Sequence, residues 1–172
     1  MERIKLITDK DILGTDGLSN AIPRLTARGI LRNSEGYFAV MFAKEFALYS
    51  LPGGGVEENE DIVDALKREI LEETGCTCDT IQPLGYVEEN RAHQNYTTVS
   101  YYFAVTTTTL TLDSSLTEDE KKHGTMAAWH TFDSAYHCIA DAVHPTTQRK
   151  FIQARDVAAL DAYRSTFLCN NP

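Results

Sequence analysis

Three glutamates, Glu69, Glu72 and Glu73, crowd into one short stretch beside Arg68, soon after the run Gly53-Gly54-Gly55. On a helix, positions i, i+3 and i+4 share a face, so these carboxylates would project together. Each like-charge pair at that spacing costs roughly 0.2–0.5 kcal/mol. Proximity to a helix C-terminus adds about 0.3–1 kcal/mol per exposed acid. A cation among them removes both penalties, and oxygen donors of this kind suit Mg²⁺, with Mn²⁺ as the alternative. The glycines allow backbone to approach a ligand closely, with N–H and C=O groups free to serve phosphate or metal. Arg68 carries several donors with which to hold neighbouring carboxylates. The plainer alternative, a solvated acidic helix face, leaves the adjoining glycines and Arg68 without a purpose.

The elements that would position these groups can be read from periodicity. Ile62, Leu66 and Ile70 recur every fourth residue and predict a helix from about Asn59 to Thr74. Asn59 is the expected N-cap, and Gly75 the residue that ends the helix. "LPGGGVEEN" reads as a loop, because proline and three glycines suit neither a helix nor a central strand. Before it, "RLTARGILRN" and "GYFAVMFA" flank "SEG" and predict a hairpin. "MERIKLIT", "IQPLGYVEE", "TTVSYYFAVTT" and "TMAAWHTF" are strand-like. "DSAYHCIADAV" predicts a short helix capped by Asp133, and roughly residues 146–168 a longer amphipathic one. "DKDILGTDGLSNAIP" reads as a solvated connector; its Asp9, Asp11 and Gly14 fall short of a calcium loop, because Asn20 stands where a bidentate Glu is needed. Strands with helices to cover both faces of a sheet predict an α/β sandwich.

The series Gly54, Glu60, Arg68-Glu69-Ile70-Leu71-Glu72-Glu73-Thr74-Gly75-Cys76 resembles the Nudix box, G-x5-E-x7-R-E-U-x-E-E-x-G-U, where U is a bulky aliphatic residue. Cys76 in the last aliphatic slot is the one departure, and it is a small hydrophobe suited to a buried site. "YSLPGGGVE" and "TMAAWHTFDSA" extend the resemblance on either side. It implies a single domain spanning residues 1–172, of the α/β/α type with a mixed sheet between helices. The core would run from about 22 to 142, with a short N-terminal extension and a C-terminal helix that either packs on the domain or serves a dimer.

What the resemblance implies chemically is a metal-dependent pyrophosphohydrolase that cleaves a diphosphate linkage in a nucleoside diphosphate derivative. By matching position, Glu69, Glu73, Glu72 and the Gly53 carbonyl would hold Mg²⁺ or Mn²⁺. Glu69 or a loop acid would take the proton of the attacking water. Arg68 and Glu60 would orient loop and helix around that chemistry. Relatives often draw a further carboxylate from a distant loop; here Glu118, Asp119 and Glu120 offer it, Glu120 first, with Glu88 and Glu89 in reserve. Glu57, just before the helix, has two readings: contact with metal-bound water, or plain exposure. Arg24 and Arg28 lie four apart on a predicted strand, so both face one side. Phosphate contact is their functional reading and cross-strand ion pairing the structural one. Gly54 and Gly55 would let backbone meet the substrate. Tyr49, Tyr86, Tyr96, Tyr101, Phe103 and Trp129 supply either a base-stacking surface or core. The five histidines show no metal spacing.

Composition narrows the partners. The 172 residues carry a net charge of −9, with 42% hydrophobic and 24% charged residues, which describes a folded acidic domain rather than a binder of DNA or anionic membrane. The expected partner is a small-molecule nucleotide or nucleotide-sugar, and a homodimer is consistent with the family. No apolar run approaches a membrane span and "MERIKLITDK" lacks a signal core. Cys76, Cys78, Cys138 and Cys169 are too scattered for a disulfide framework. Together these predict a cytoplasmic protein with reduced thiols. Two other readings compete. A catalytically silent nucleotide sensor of this fold usually lacks box glutamates, and all are present. An isoprenoid-diphosphate isomerase would need a cysteine upstream of the box, and none precedes Cys76.

Overall fold

Two separate groups of apolar side chains lie on opposite faces of one mixed sheet, and the strand sequences alternate between them. Along β2 (Arg24–Asn33), Ile30 packs into one group, whereas Ala27 and Leu31 pack into the other. Along β7 (Tyr96–Thr107), Ala104 joins the first, and Phe103 and Val105 the second. A period of two with both faces apolar is what a strand covered on both sides requires. The covering helices complete the α/β/α layering expected from the sequence. The computed structural model describes residues 1–108 and 121–169.

The remaining elements, in chain order, are β1 (Arg3–Thr8), α1 (Asp9–Leu13), β3 (Phe38–Ala43), β4 (Leu48–Ser50), β5 (Gly53–Gly55), α2 (Ile62–Thr74), β6 (Thr80–Arg91), β8 (Thr125–His130), α3 (Phe132–Ala140) and α4 (Thr147–Tyr163). The sheet runs β1-β6-β7-β2-β3-β4, with β5 added on β2 and β8 on β3. β1 with β6 and β2 with β7 are parallel, and β6 with β7 is antiparallel. Leu66 and Ile70 of α2 lie in the group that contains Ala27, Leu31 and Phe103. Phe151 and Leu160 of α4 lie in the other, with Ile30, Val87 and Tyr102.

Four local expectations need correction. The hairpin of β2 and β3 is paired only beside its turn, through Arg32 and Phe38; earlier residues of β2 pair with β5 on that edge, while β7 pairs along the whole of β2 on the other. The glycine run is a strand, not a loop: Thr26, Ala27 and Arg28 pair with Gly55, Gly54 and Gly53. At Gly53 (φ 129°) an added Cβ would stand 2.2 Å from the Ala27 carbonyl oxygen, so only glycine brings the two backbones this close. Helix α2 is capped by Asp61, which accepts the Val63 N–H at 2.8 Å, because Asn59 is bent away at φ 66°. Helix α3 is capped by the Thr131 hydroxyl rather than by Asp133, which stands inside the first turn.

The N-terminal connector is likewise more than a solvated loop. Thr8 and Asp11 form a capping box at α1. Asp9 is buried and accepts from the His93 N–H and ring Nδ1, each at 2.7 Å. Ser19 bonds to Asn90 and Asn95, which fastens this segment to the β6–β7 turn. Gly75 ends α2 as expected, donating its N–H to the Leu71 carbonyl at 2.9 Å. Thr146 caps α4, whose chain continues as a π-turn over Arg164–Leu168. All four cysteines are free thiols.

Candidate active site

The glycine strand is where the functional groups meet. Gly54 faces the α2 side: a Cβ there would fall 2.4–2.5 Å from the carboxyl atoms of Glu69. Gly55 lies against Arg24, whose Nη2 would stand 2.8 Å from an added Cβ. Side chains on β5 would therefore displace an acid on one side and a guanidinium on the other. Arg68 ties strand to helix. Its Nε and Nη2 bond Glu60 at 2.8 and 3.0 Å, Nη2 also bonds the Gly55 carbonyl at 3.0 Å, and Nη1 bonds Glu69 at 2.8 Å. Glu60 in turn accepts the Glu57 N–H at 2.8 Å. The Arg68 hydrogen bonds, helped by that N–H, hold the Glu60 carboxyl down at about 2. Glu60 thus stays ionised and fastens the loop ahead of α2 to the middle of the helix.

The box acids differ in environment. Burial pushes the Glu69 carboxyl upward and outweighs Arg68, so this carboxylate is short of positive charge. Glu72 is partly exposed, 3.6 Å from Arg68 Nη1. Glu73 accepts the Gly53 N–H at 2.6 Å. Glu69 and Glu73 thus meet the glycine strand directly and Glu72 lies near it through Arg68, but among the described residues no three acidic, histidine or cysteine side chains form a group that could hold a metal ion. The donor set itself fits a hard divalent cation: carboxylate oxygens from one helix face beside glycine backbone, with Glu69 under-compensated. Glu69, Glu72, Glu73 and the Gly53 carbonyl are the groups that would hold it. Bound there, such an ion would neutralise phosphate oxygens and would acidify a water beside it.

On the α4 side, a cleft of about 370 Å³ opens beside the strand. Arg24, Arg28, Gly54 and Gly55 line it, as does Tyr96 among the aromatics anticipated. Both arginines face one side, as their spacing predicts. Arg28 gives Nη1 to the Leu51 carbonyl at 3.0 Å, while its Nε is buried without a hydrogen-bond partner among the described residues. Of the other aromatics, Phe103 is core, Tyr49 stacks on Phe42, and Trp129 lines a different pocket with Asn33 and Tyr37.

The reserve acids separate. Glu88 faces outward and pairs with Arg3 at 3.0 Å. Glu89 is fully buried at the cleft floor, bonded to Arg91 and 3.5 Å from Arg155. Glu57 is exposed, and its N–H is taken by Glu60. Glu118, Asp119 and Glu120 lie outside the described residues.

Sequence reasoning missed Arg91, Arg155 and Asp156. Arg91 stands two residues after Glu89 on one strand, which puts both on one face. Arg155 follows Phe151 by one helical turn on the face that buries Ala158 and Ala159. A charge on an apolar stripe was the available sign.

Fold and site together define a class: a helix of acids set against a glycine strand, within an α/β/α sandwich, beside a cationic cleft. A family model described as the NUDIX domain matches residues 22–154, and the chain belongs to that family. The family acts on phosphorus anhydrides, and this chain is a hydrolase of that kind. No curated protein matches it. Among solved structures, a NUDIX hydrolase from Nitrosomonas europaea superposes with TM-score 0.62 at 20% identity, covering 84% of this chain and 90% of its own. The ORF135 protein of E. coli gives 0.59 at 16% identity, with 87% and 93% covered. A MutT structure, from a study of Aliivibrio salmonicida and Vibrio cholerae, gives 0.51 at 19% identity, with 78% and 96% covered. These likenesses establish the fold. Among the described residues no helix is long and apolar enough to cross a membrane.

Proposed function

We propose that the protein is a metal-dependent pyrophosphohydrolase that cleaves the diphosphate of a nucleoside diphosphate derivative. The observation that carries this is the glycine strand, with the Glu69 carboxyl against Gly54 on one side and the Arg24 guanidinium against Gly55 on the other. A diphosphate laid along β5 meets backbone without obstruction, cationic side chains from β2, and acids from α2. Arg24 and Arg28 bind and orient the phosphates. Glu69, which lies against Gly54, or an acid of a distant loop takes the proton of the attacking water. Arg68 and Glu60 keep Glu69 in place. Mg²⁺, with Mn²⁺ as the alternative, is the cation proposed for Glu69, Glu72, Glu73 and the Gly53 carbonyl.

The test is a panel of nucleoside diphosphate derivatives and nucleoside triphosphates incubated with Mg²⁺, with monophosphate products separated by chromatography. Turnover of a diphosphate derivative that collapses in Glu72→Gln and Glu73→Gln supports the proposal. Tight nucleotide binding without turnover by the wild type would overturn it in favour of a nucleotide sensor.

A further inference from the structure

The residues that lead into the glycine strand are held at successive backbone atoms by groups from three different elements. Asp156 of α4 accepts the Leu51 N–H at 3.0 Å, and Arg28 of β2 donates to the Leu51 carbonyl at 3.0 Å. The Gly29 N–H bonds the Pro52 carbonyl at 2.9 Å, and Glu73 of α2 accepts the Gly53 N–H at 2.6 Å. The α4 contribution is the unexpected one. Asp156 is fully buried and takes three hydrogen bonds: from Leu51, from the Tyr102 hydroxyl at 2.5 Å and from Arg155 Nε at 2.9 Å. Burial opposes its charge, but Arg155, and behind it Arg28, hold its carboxyl below the usual range.

A buried ion pair is weak as a device for stability, because an apolar pair of similar volume packs a helix on a sheet as well. What the carboxylate supplies and an apolar side chain cannot is a fixed acceptor for the Leu51 N–H. Both residues of the pair lie just beyond the stretch that the family shares, which ends at residue 154. We infer that Asp156, with Arg155 as its counter-ion, is a positioning residue for hydrolysis: it fixes Leu51, and through Pro52 the register of Gly53–Gly55 between Glu69 and Arg24. The C-terminal helix is thereby a working part of the active site. This inference rests on the hydrolase reading.

Two variants separate positioning from stability. Asp156→Asn cannot serve all its donors: the charged Arg155 Nε–H and the Tyr102 hydroxyl claim its one amide oxygen, which turns the NH₂ against the Leu51 N–H. Tyr102→Phe removes a hydrogen bond from the same carboxylate and leaves the Leu51 contact intact. In Asp156→Asn, kcat should fall about tenfold or more with KM within about threefold, because an ångström of misplacement acts on the reacting geometry. Tyr102→Phe should melt at a lower temperature yet keep the wild-type kcat. Amide hydrogen exchange at Leu51 should speed up about tenfold or more in Asp156→Asn, with the β6–β7 amides unchanged. An Asp156→Asn enzyme with wild-type kcat overturns the inference. So does a fall in kcat that Tyr102→Phe shares in proportion to its lost melting temperature. If Asp156→Asn does not fold, the wild-type Leu51 amide decides: exchange as slow as the sheet core upholds the anchor, and exchange as fast as an open loop overturns it. If the wild type hydrolyses nothing, the function proposal fails by itself, and hydrogen exchange still tests the anchor.

Discussion

Replacing Gly54 by alanine would test whether the glycine strand serves chemistry or only folding. The backbone at Gly54 lies outside the left-handed region, so alanine brings no conformational strain. Its methyl group, however, would stand 2.4 Å from Glu69 Cδ and Oε2, whereas ordinary contact begins at 3.4 Å. The carboxyl must therefore retreat by about 1 Å, which also strains its 2.8 Å bond from Arg68. A displacement of that size in a reacting group is worth about a hundredfold in rate, or about 2.7 kcal/mol in the barrier. Stability should change little, because what moves is the end of a flexible side chain. Gly53→Ala is the contrast: its methyl meets the Ala27 carbonyl at 2.2 Å at a φ of 129°, so backbone must give way and the melting temperature should fall steeply. Steady-state turnover of the panel's best substrate, with thermal melting followed by circular dichroism, reads both effects. A Gly54→Ala enzyme within about threefold of wild-type kcat, folded and with Glu69 displaced, would refute the role given to Glu69.

Other outcomes follow from the same geometry. Arg24→Ala should raise KM about tenfold with little change in kcat, since a charge-assisted phosphate contact is worth about 1.5–3 kcal/mol; an unchanged KM would remove Arg24 from the substrate site. Arg28→Ala should raise KM and also lower the melting temperature, because it strips the Leu51 carbonyl of its donor. Acid titration should show the Glu60–Arg68 pair directly. The Glu60 carboxyl falls from 4.5 to about 2 on folding, so its contribution is complete above pH 4.5 and is lost as pH drops toward 2. Glu60→Gln should flatten that limb of a stability-against-pH curve, and an unaltered limb would contradict the assignment. Chelation of divalent ions should abolish turnover and added Mg²⁺ restore it, measured on the same substrate; full activity in chelator would refute the metal requirement.

The helix of acids was legible because its signal is local: Arg68, Glu69, Glu72 and Glu73 are fixed by spacing along one element, and Gly75 by the helix end. The cleft was half legible. Arg24 and Arg28 share a face of one strand, but Arg91 and Arg155 reach the cleft from elements far from them along the chain. The glycine run misled for a physical reason. Glycine weakens a strand in general, and only the approach of Ala27 makes it the residue this strand needs. The cap of α2 was displaced because Asn59 takes a positive φ of 66°, so the helix begins later and Asp61 accepts the Val63 N–H. Asp9 and His93 could not be paired from sequence, since their contact depends on α1 lying beside the β6–β7 turn.

The two parallel pairings set an order of events when the chain folds. Arg3 meets Tyr86 and Arg24 meets Thr98, so β1 and the central strand β2 find those partners only after β6 and β7 have been made. The β6–β7 ribbon is by contrast closed by the single turn at Ala92–Gln94. Local contacts form before distant ones. A chain emerging from a ribosome therefore holds β1 and β2 waiting, with the apolar run Gly29–Leu31 lacking its β7 neighbour, until Thr107 has cleared the exit. An apolar strand without its neighbour is a surface that other chains can pair with.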